Sequence, residues 1–337
     1  MAIPYRTQRT MKRISVAILV VALLLVAACI CGIIWVQRYL VYGADGRVYL
    51  DFDLPPITVG NPATPPGRPN ITVSIEQPGQ NQNPTGELTQ LQGYYIEPEA
   101  LEDIPAVLEQ LKQLPAGTPV LVDVKSIRGD FYYSSTVSSR RSSTVDPAEM
   151  DALIAYLTQN GFYTIARMPA FRDYAQGLAN VSDGVYHSSG GYLYMDEAGC
   201  YWLNPAREGT ISYITKIVTE LRNLGFHEVV FTDFSFPDSN NILVNGNRQE
   251  ILTEAAKILL TACGNDRFAV SFEKTEEFTA PTGRSRIYLS GLDATEAEQA
   301  AQNSGVADAK INLVFVTELF DTRFDEFSVL RPLSGAH

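Results

Sequence analysis

Histidine and cysteine are scarce in this chain: three His and four Cys among 337 residues. His187, His227 and His337 stand far apart, and none has metal-ligand spacing with another His or a Cys. Cys29 and Cys31 fall inside one apolar run, leaving Cys200 and Cys263 for the body. Two isolated cysteines make neither a disulfide scaffold nor a zinc knuckle; buried thiols are expected, with pairing left open if the compartment is oxidising. Phosphate loop, dinucleotide fingerprint, zinc-protease helix and nucleophile elbow are all missing, so no cofactor and no metal are expected. Positive charge is short as well, with a net charge of −12. The first thirteen residues carry Arg6, Arg9, Lys12 and Arg13 and no acid, so the body holds the whole negative excess. Such a body repels phosphate backbones, and nucleic acid is not an expected partner.

What charge does not interrupt is the run Ile14 to Trp35. At about 1.5 Å per residue a helix over 14–36 crosses a hydrocarbon core of roughly 30 Å. Basic residues precede it, which predicts a cytoplasmic N-terminus (1–13), a single pass through the lipid bilayer of the cell membrane, and an extracytoplasmic remainder. A cleaved signal peptide would have a shorter apolar run. Val26-Ala27-Ala28-Cys29 also resembles a lipobox, but the residues after Cys29 stay apolar instead of opening a polar tether. Either alternative would still export the body.

Residues 37–90 read as a tether rich in Pro, Gly, Asn and Gln, with Val48 to Phe52 as a possible short strand inside it. From Leu91 the pattern becomes strand then helix, repeated at least six times, which implies a parallel sheet covered by helices. The span 91–337 is close to the roughly 250 residues of a (β/α)8 barrel. A TIM-like α/β barrel is the expected fold, incomplete at its C-terminal end because the last third is short for its share of units. A doubly wound open sheet is the alternative, although no Gly-rich turn follows the first strand.

In either architecture chemistry gathers at the carboxyl ends of the strands. Asp123 and Lys125 end the second strand, Arg167 lies near the end of the third, Asp233 near the fourth, and Glu273 ends the fifth. Carboxylates converging on one rim suit glycosidic hydrolysis, one protonating the leaving oxygen while another attacks or activates water. The same charges also make an ordinary ion-pair set, such as Asp123 with Lys125 or Arg167. Tyr132, Tyr133, Tyr192, Tyr194, Tyr201 and Trp202 crowd the adjoining loops, either as packing or as rings that stack on sugar faces.

Three segments then carry a resemblance. They are Val120-Leu121-Val122-Asp123-Val124-Lys125 with Gly129-Asp130-Phe131, then Ile165 to Asp173, then Trp202-Leu203-Asn204-Pro205 followed by Leu224-Gly225-Phe226 and Phe236-Pro237. In order and spacing they resemble a glycoside-hydrolase-like TIM-barrel domain family of bacterial exported and membrane-anchored proteins. The resemblance implies a polysaccharide or oligosaccharide partner. It implies Glu273, Asp233 and Asp123 as catalytic candidates, and Lys125, Arg167, Tyr132, Trp202 and Asn204 as substrate-binding candidates. One departure is plain: aligned on Phe236-Pro237, the family's fourth-strand aspartate and arginine become Thr232 and Ser235. Asp233 falls one residue late, and only a bulge would return it to the rim. Three readings stay open: a surface-anchored glycosidase, an inactive barrel that binds glycan or a protein partner, and a structural envelope protein.

Overall fold

The computed structural model describes residues 40–42, 48–50, 87–273, 282–304 and 306–335. The chain divides into two units, 1–78 and 79–337. In the first, Leu40–Tyr42 pairs antiparallel with Val48–Leu50, so part of the expected short strand is present. The expected helix over 14–36 lies outside the described residues, as does most of the tether. Among the described residues no helix is long and apolar enough to cross a membrane.

The second unit is a closed barrel of eight parallel strands. They are β1 Gln92–Tyr95, β2 Pro119–Asp123, β3 Tyr163–Pro169, β4 Glu228–Thr232, β5 Ala269–Glu273, β6 Ile287–Ser290, β7 Leu313–Val316 and β8 Ser328–Pro332. Each strand hydrogen-bonds the next in sequence, and β8 pairs with β1 to close the ring. The expectation of an incomplete barrel is thereby corrected. Short late units suffice because β6 and β7 need only four residues each to hold register.

The connecting helices are α1 Ile104–Leu111, α2 Pro147–Gln159, α3 Tyr174–Ala179, α4 Glu208–Asn223, α5 Arg248–Cys263, α6 Ala294–Asn303 and α7 Ala309–Asn312. Their starts follow local chemistry. Asp146 accepts from Ala148 N–H at 2.8 Å, and Pro147 then occupies a first-turn position where no amide hydrogen is needed. Asp293 and Glu296 cap each other's backbone at the head of α6. Gly225 stops the α4 segment with a φ of +97°, a conformation that costs a Cβ-bearing residue energy.

Alternation along the strands builds two cores. Outward residues such as Val122, Ala166, Phe231 and Phe272 pack under the helices. Inward residues Leu121, Ile165, Val230, Tyr288, Val314 and Leu330 fill the barrel's middle. Below them, at the amino ends, sits a buried polar floor. Glu228 accepts from Arg286 at 2.5 Å, Ser271 at 2.5 Å, Tyr163 at 2.9 Å and Tyr288 at 3.0 Å. Arg286 also donates to the carbonyl of Thr89 at 2.7 Å, fixing the chain just before β1. Both charges are therefore satisfied where water does not reach.

Candidate active site at the barrel mouth

Two residues beyond each apolar middle position, the same inward face reaches the carboxyl ends. That rule brings Asp123, Arg167, Thr232 and Ser290 to the mouth, and the same alternation brings Tyr95 after Gly93 and Glu273 after Ser271. Asp123 and Arg167 are register partners on neighbouring strands. The guanidinium grips the carboxylate with two bonds, Nε to Oδ1 at 2.5 Å and Nη2 to Oδ2 at 2.9 Å. Burial opposes the guanidinium's charge, yet its bonds and attraction to Asp123 outweigh burial and hold its pKa above the usual value.

Arg167 is the hub of the mouth. Its charge also reaches Glu273, Tyr132 and Tyr95. Burial pushes the Glu273 carboxyl above the ordinary glutamate value, and the nearby charges of Asp233 and Asp123 push the same way. Arg167 and the Ser290 hydroxyl, 3.5 Å from Oε1, oppose that rise without cancelling it. Burial raises the Tyr132 phenol too, helped by Asp123 and Asp130. Burial thus moves one carboxyl of the mouth upward, while a guanidinium clamps another.

The fourth strand behaves differently. Thr232 takes the inward position, and Asp233 follows in a left-handed backbone with φ of 48°. Its charge still acts on Glu273, more strongly than that of Asp123. Its carboxylate accepts from the Thr232 hydroxyl at 3.2 Å and lies 3.8 Å from Arg172 Nη1. Burial still raises its pKa, against the pull of Arg172, Thr232 and Lys125. Asp233 therefore borders the mouth, turned toward a second cluster.

That cluster is Arg172, Asp196 and Trp202. Arg172 Nε donates to Asp196 Oδ2 at 2.7 Å and the indole N–H donates to the same oxygen at 2.9 Å. The guanidinium lies over the Trp202 ring, 5.7 Å from its centroid. Trp202 is buried. It is a floor under Arg172, which corrects its reading as a sugar-facing ring. Asn204 belongs to a turn: its side-chain oxygen accepts from Ala206 N–H at 2.9 Å and its own N–H donates to the Asp183 carbonyl.

Lys125 is corrected as well. β2 ends at Asp123, so the two-residue rule stops applying, and the Lys125 backbone bridges to Phe131 instead. Its ammonium is fully buried 2.7 Å from Asp173, an ionic contact without a well-directed hydrogen bond. Tyr133 is buried and donates to Glu220 at 2.8 Å, away from the mouth. Three residues at or beside the mouth were not singled out from sequence: Tyr95, Ser290 and Arg172. The strand period over Gly93–Ile96 was the available signal for Tyr95; a single residue at a strand end gave none for Ser290. Among the described residues no group of three His, Cys, Asp or Glu side chains could hold a metal ion.

A closed (β/α)8 barrel with Asp123 and Glu273 at its carboxyl-end mouth is an architecture suited to glycoside chemistry. Residues 101–263, just under half of the chain, match the family model described as "Putative glycosyl hydrolase domain". The match takes in Asp123, Arg167 and Asp233 and ends ten residues before Glu273. Among solved structures, the chain is similar to a hypothetical protein from Ruminiclostridium thermocellum at 18% identity and TM-score 0.46, covering 54% of this chain and 97% of that one. It is similar to an exo-β-N-acetylglucosaminidase from Vibrio harveyi at 12% identity and TM-score 0.46, covering 67% of this chain and 41% of the enzyme's length. It is also similar to the glycoside hydrolase domain of PelA from Pseudomonas aeruginosa at 14% identity and TM-score 0.41, covering 71% and 88%. No curated protein matches the chain.

Proposed function

We propose that this chain is a membrane-anchored, extracytoplasmic glycoside hydrolase that acts on a cell-wall or environmental polysaccharide. The observation that carries the chemistry is Glu273, its pKa raised by burial, at the same barrel mouth as Asp123 in the grip of Arg167. Glu273 in its protonated form donates to the glycosidic oxygen, and Asp123 as carboxylate faces the developing oxocarbenium or the attacking water. Tyr132 lies close enough to both Asp123 and Arg167 to feel their charges, and it lines the sugar's approach. The uncharged run from Ile14 to Trp35 supports the anchor, and the four preceding cations support a cytoplasmic N-terminus.

The test is hydrolysis of a panel of bacterial cell-wall and plant polysaccharides by the purified full chain. Glu273→Gln is expected to lower the rate by about 10²–10⁴-fold, the usual contribution of a positioned acid. Turnover that persists in both Glu273→Gln and Asp123→Asn would remove the assignment. A second reading, glycan binding without turnover, is favoured by Thr232 on the inward face of β4, where the resembling family carries an aspartate. It predicts that Glu273→Gln changes no rate, because none is measurable, while glycan affinity is retained.

A further inference from the structure

The segment between β3 and α4 carries more aromatic and exposed apolar side chains than the mouth uses. With the turn after β4 it encloses a groove of about 820 Å³. Tyr192 stands 56% exposed on its wall, its ring stacked on His187 with centroids 4.8 Å apart. The phenol oxygen is held 3.1 Å from His187 Nδ1 and 3.3 Å from Ser189 Oγ, so the ring is presented in a fixed plane. Leu178 and Met195, 54% and 46% exposed, line the same groove. Between these apolar faces stand Glu197 and Asp238, with His187 the one basic side chain of the lining.

We propose that this groove is a second saccharide-binding site, one that takes a glycan chain free of carboxylate and sulfate groups. It rests on the reading that the barrel mouth engages polysaccharide. Three features select that ligand over a peptide or an anionic polymer. A rigid, half-exposed phenol ring stacks on the C–H face of a pyranose. Exposed carboxylates accept from sugar hydroxyls, or from the ammonium of an amino sugar, and repel uronates. The groove also adjoins the candidate site through a chain of paired side chains. Asp196 forms its wall and is bonded to Arg172, and Arg172 is the partner of Asp233 at the mouth's edge.

The experiment is calorimetric titration of the full chain in detergent micelles with chitohexaose, a glucosamine hexamer and a galacturonate hexamer. Chitohexaose or the glucosamine hexamer is expected to bind, and the galacturonate hexamer to bind more weakly. Tyr192→Ala, on an exposed ring whose loss leaves the core intact, is expected to weaken binding about three- to tenfold. Glu197→Lys is expected to raise galacturonate affinity relative to wild type. Unchanged affinity in Tyr192→Ala, or wild-type preference for galacturonate, overturns the proposal; so does capture of a protein partner on this face with no saccharide bound. The two readings fail separately. Absent hydrolysis with Tyr192-dependent binding intact sinks only the catalytic reading, and hydrolysis with Tyr192-independent binding sinks only the groove.

Discussion

Replacing Arg167 with methionine tests how the mouth is held together. The substitution keeps the aliphatic stem and removes both guanidinium bonds to Asp123, at 2.5 and 2.9 Å. The two side chains are 21% and 17% exposed. Breaking a wholly buried pair costs about 3–5 kcal/mol because one charge is left without a partner. Water reaches part of this pair, so the expected cost is about 2–3 kcal/mol. At about 2–4 °C per kcal/mol for a domain of this size, Tm falls by roughly 4–12 °C in a circular-dichroism melt. Adding Asp123→Asn to Arg167→Met removes the orphaned carboxylate and restores at least half of the loss, because the penalty lies in the stranded charge. Arg167→Lys recovers the charge but not the fork, and lands between the two. A Tm drop below about 2 °C for Arg167→Met would refute the reasoning, since the pair would then be screened and would not organise the mouth.

Glu228→Gln at the barrel floor leaves the buried Arg286 without a counter-charge and is expected to cost about 3–5 kcal/mol in denaturant unfolding. The apolar pair Glu228→Leu with Arg286→Met is expected to recover only part of it, because the buried hydroxyls of Ser271, Tyr163 and Tyr288 lose the carboxylate they donate to. Gly93→Ala drives a Cβ into the backbone carbonyl of Pro119 across the β1–β2 pair, and a loss of at least about 1–3 kcal/mol follows from overpacking. For Glu273 the expectation concerns pH. Burial raises its carboxyl, so the folded protein holds that proton more tightly than the unfolded chain does. Wild-type stability is then complete below the unfolded value and declines as pH rises toward the folded one. Glu273→Gln removes the decline, so its Tm gain over wild type is absent near about pH 4 and grows toward neutrality.

Much of the barrel could be read from the chain because its determinants are local. Strand-period apolar runs, capping aspartates and the closing Gly225 mark elements without reference to neighbours. β8 escaped notice: Ser328–Pro332 is short, carries Arg331 and ends in proline, so its pattern is weak until β7 and β1 flank it. At the site, Asp123, Arg167 and Glu273 were legible because strand ends and alternation fix their facing. Lys125 and Trp202 were misread for a common reason. Their burial is decided by Asp173 and by Arg172 with Asp196, partners contributed by loops whose course no local pattern encodes. Glu228 opens β4, and its role depends on Arg286, from two strands further on, meeting it inside the barrel.

At the mouth, burial holds the Glu273 carboxyl above the ordinary glutamate value while Arg167 clamps Asp123. Carbon-13 NMR titration of glutamate side-chain carboxyls in wild type, Glu273→Gln and Arg167→Met measures it directly. One resonance, missing from Glu273→Gln, is expected to titrate above the ordinary value of about 4.3 and to move higher still in Arg167→Met. A Glu273 resonance that titrates at or below the ordinary value, or that ignores Arg167, would contradict the account.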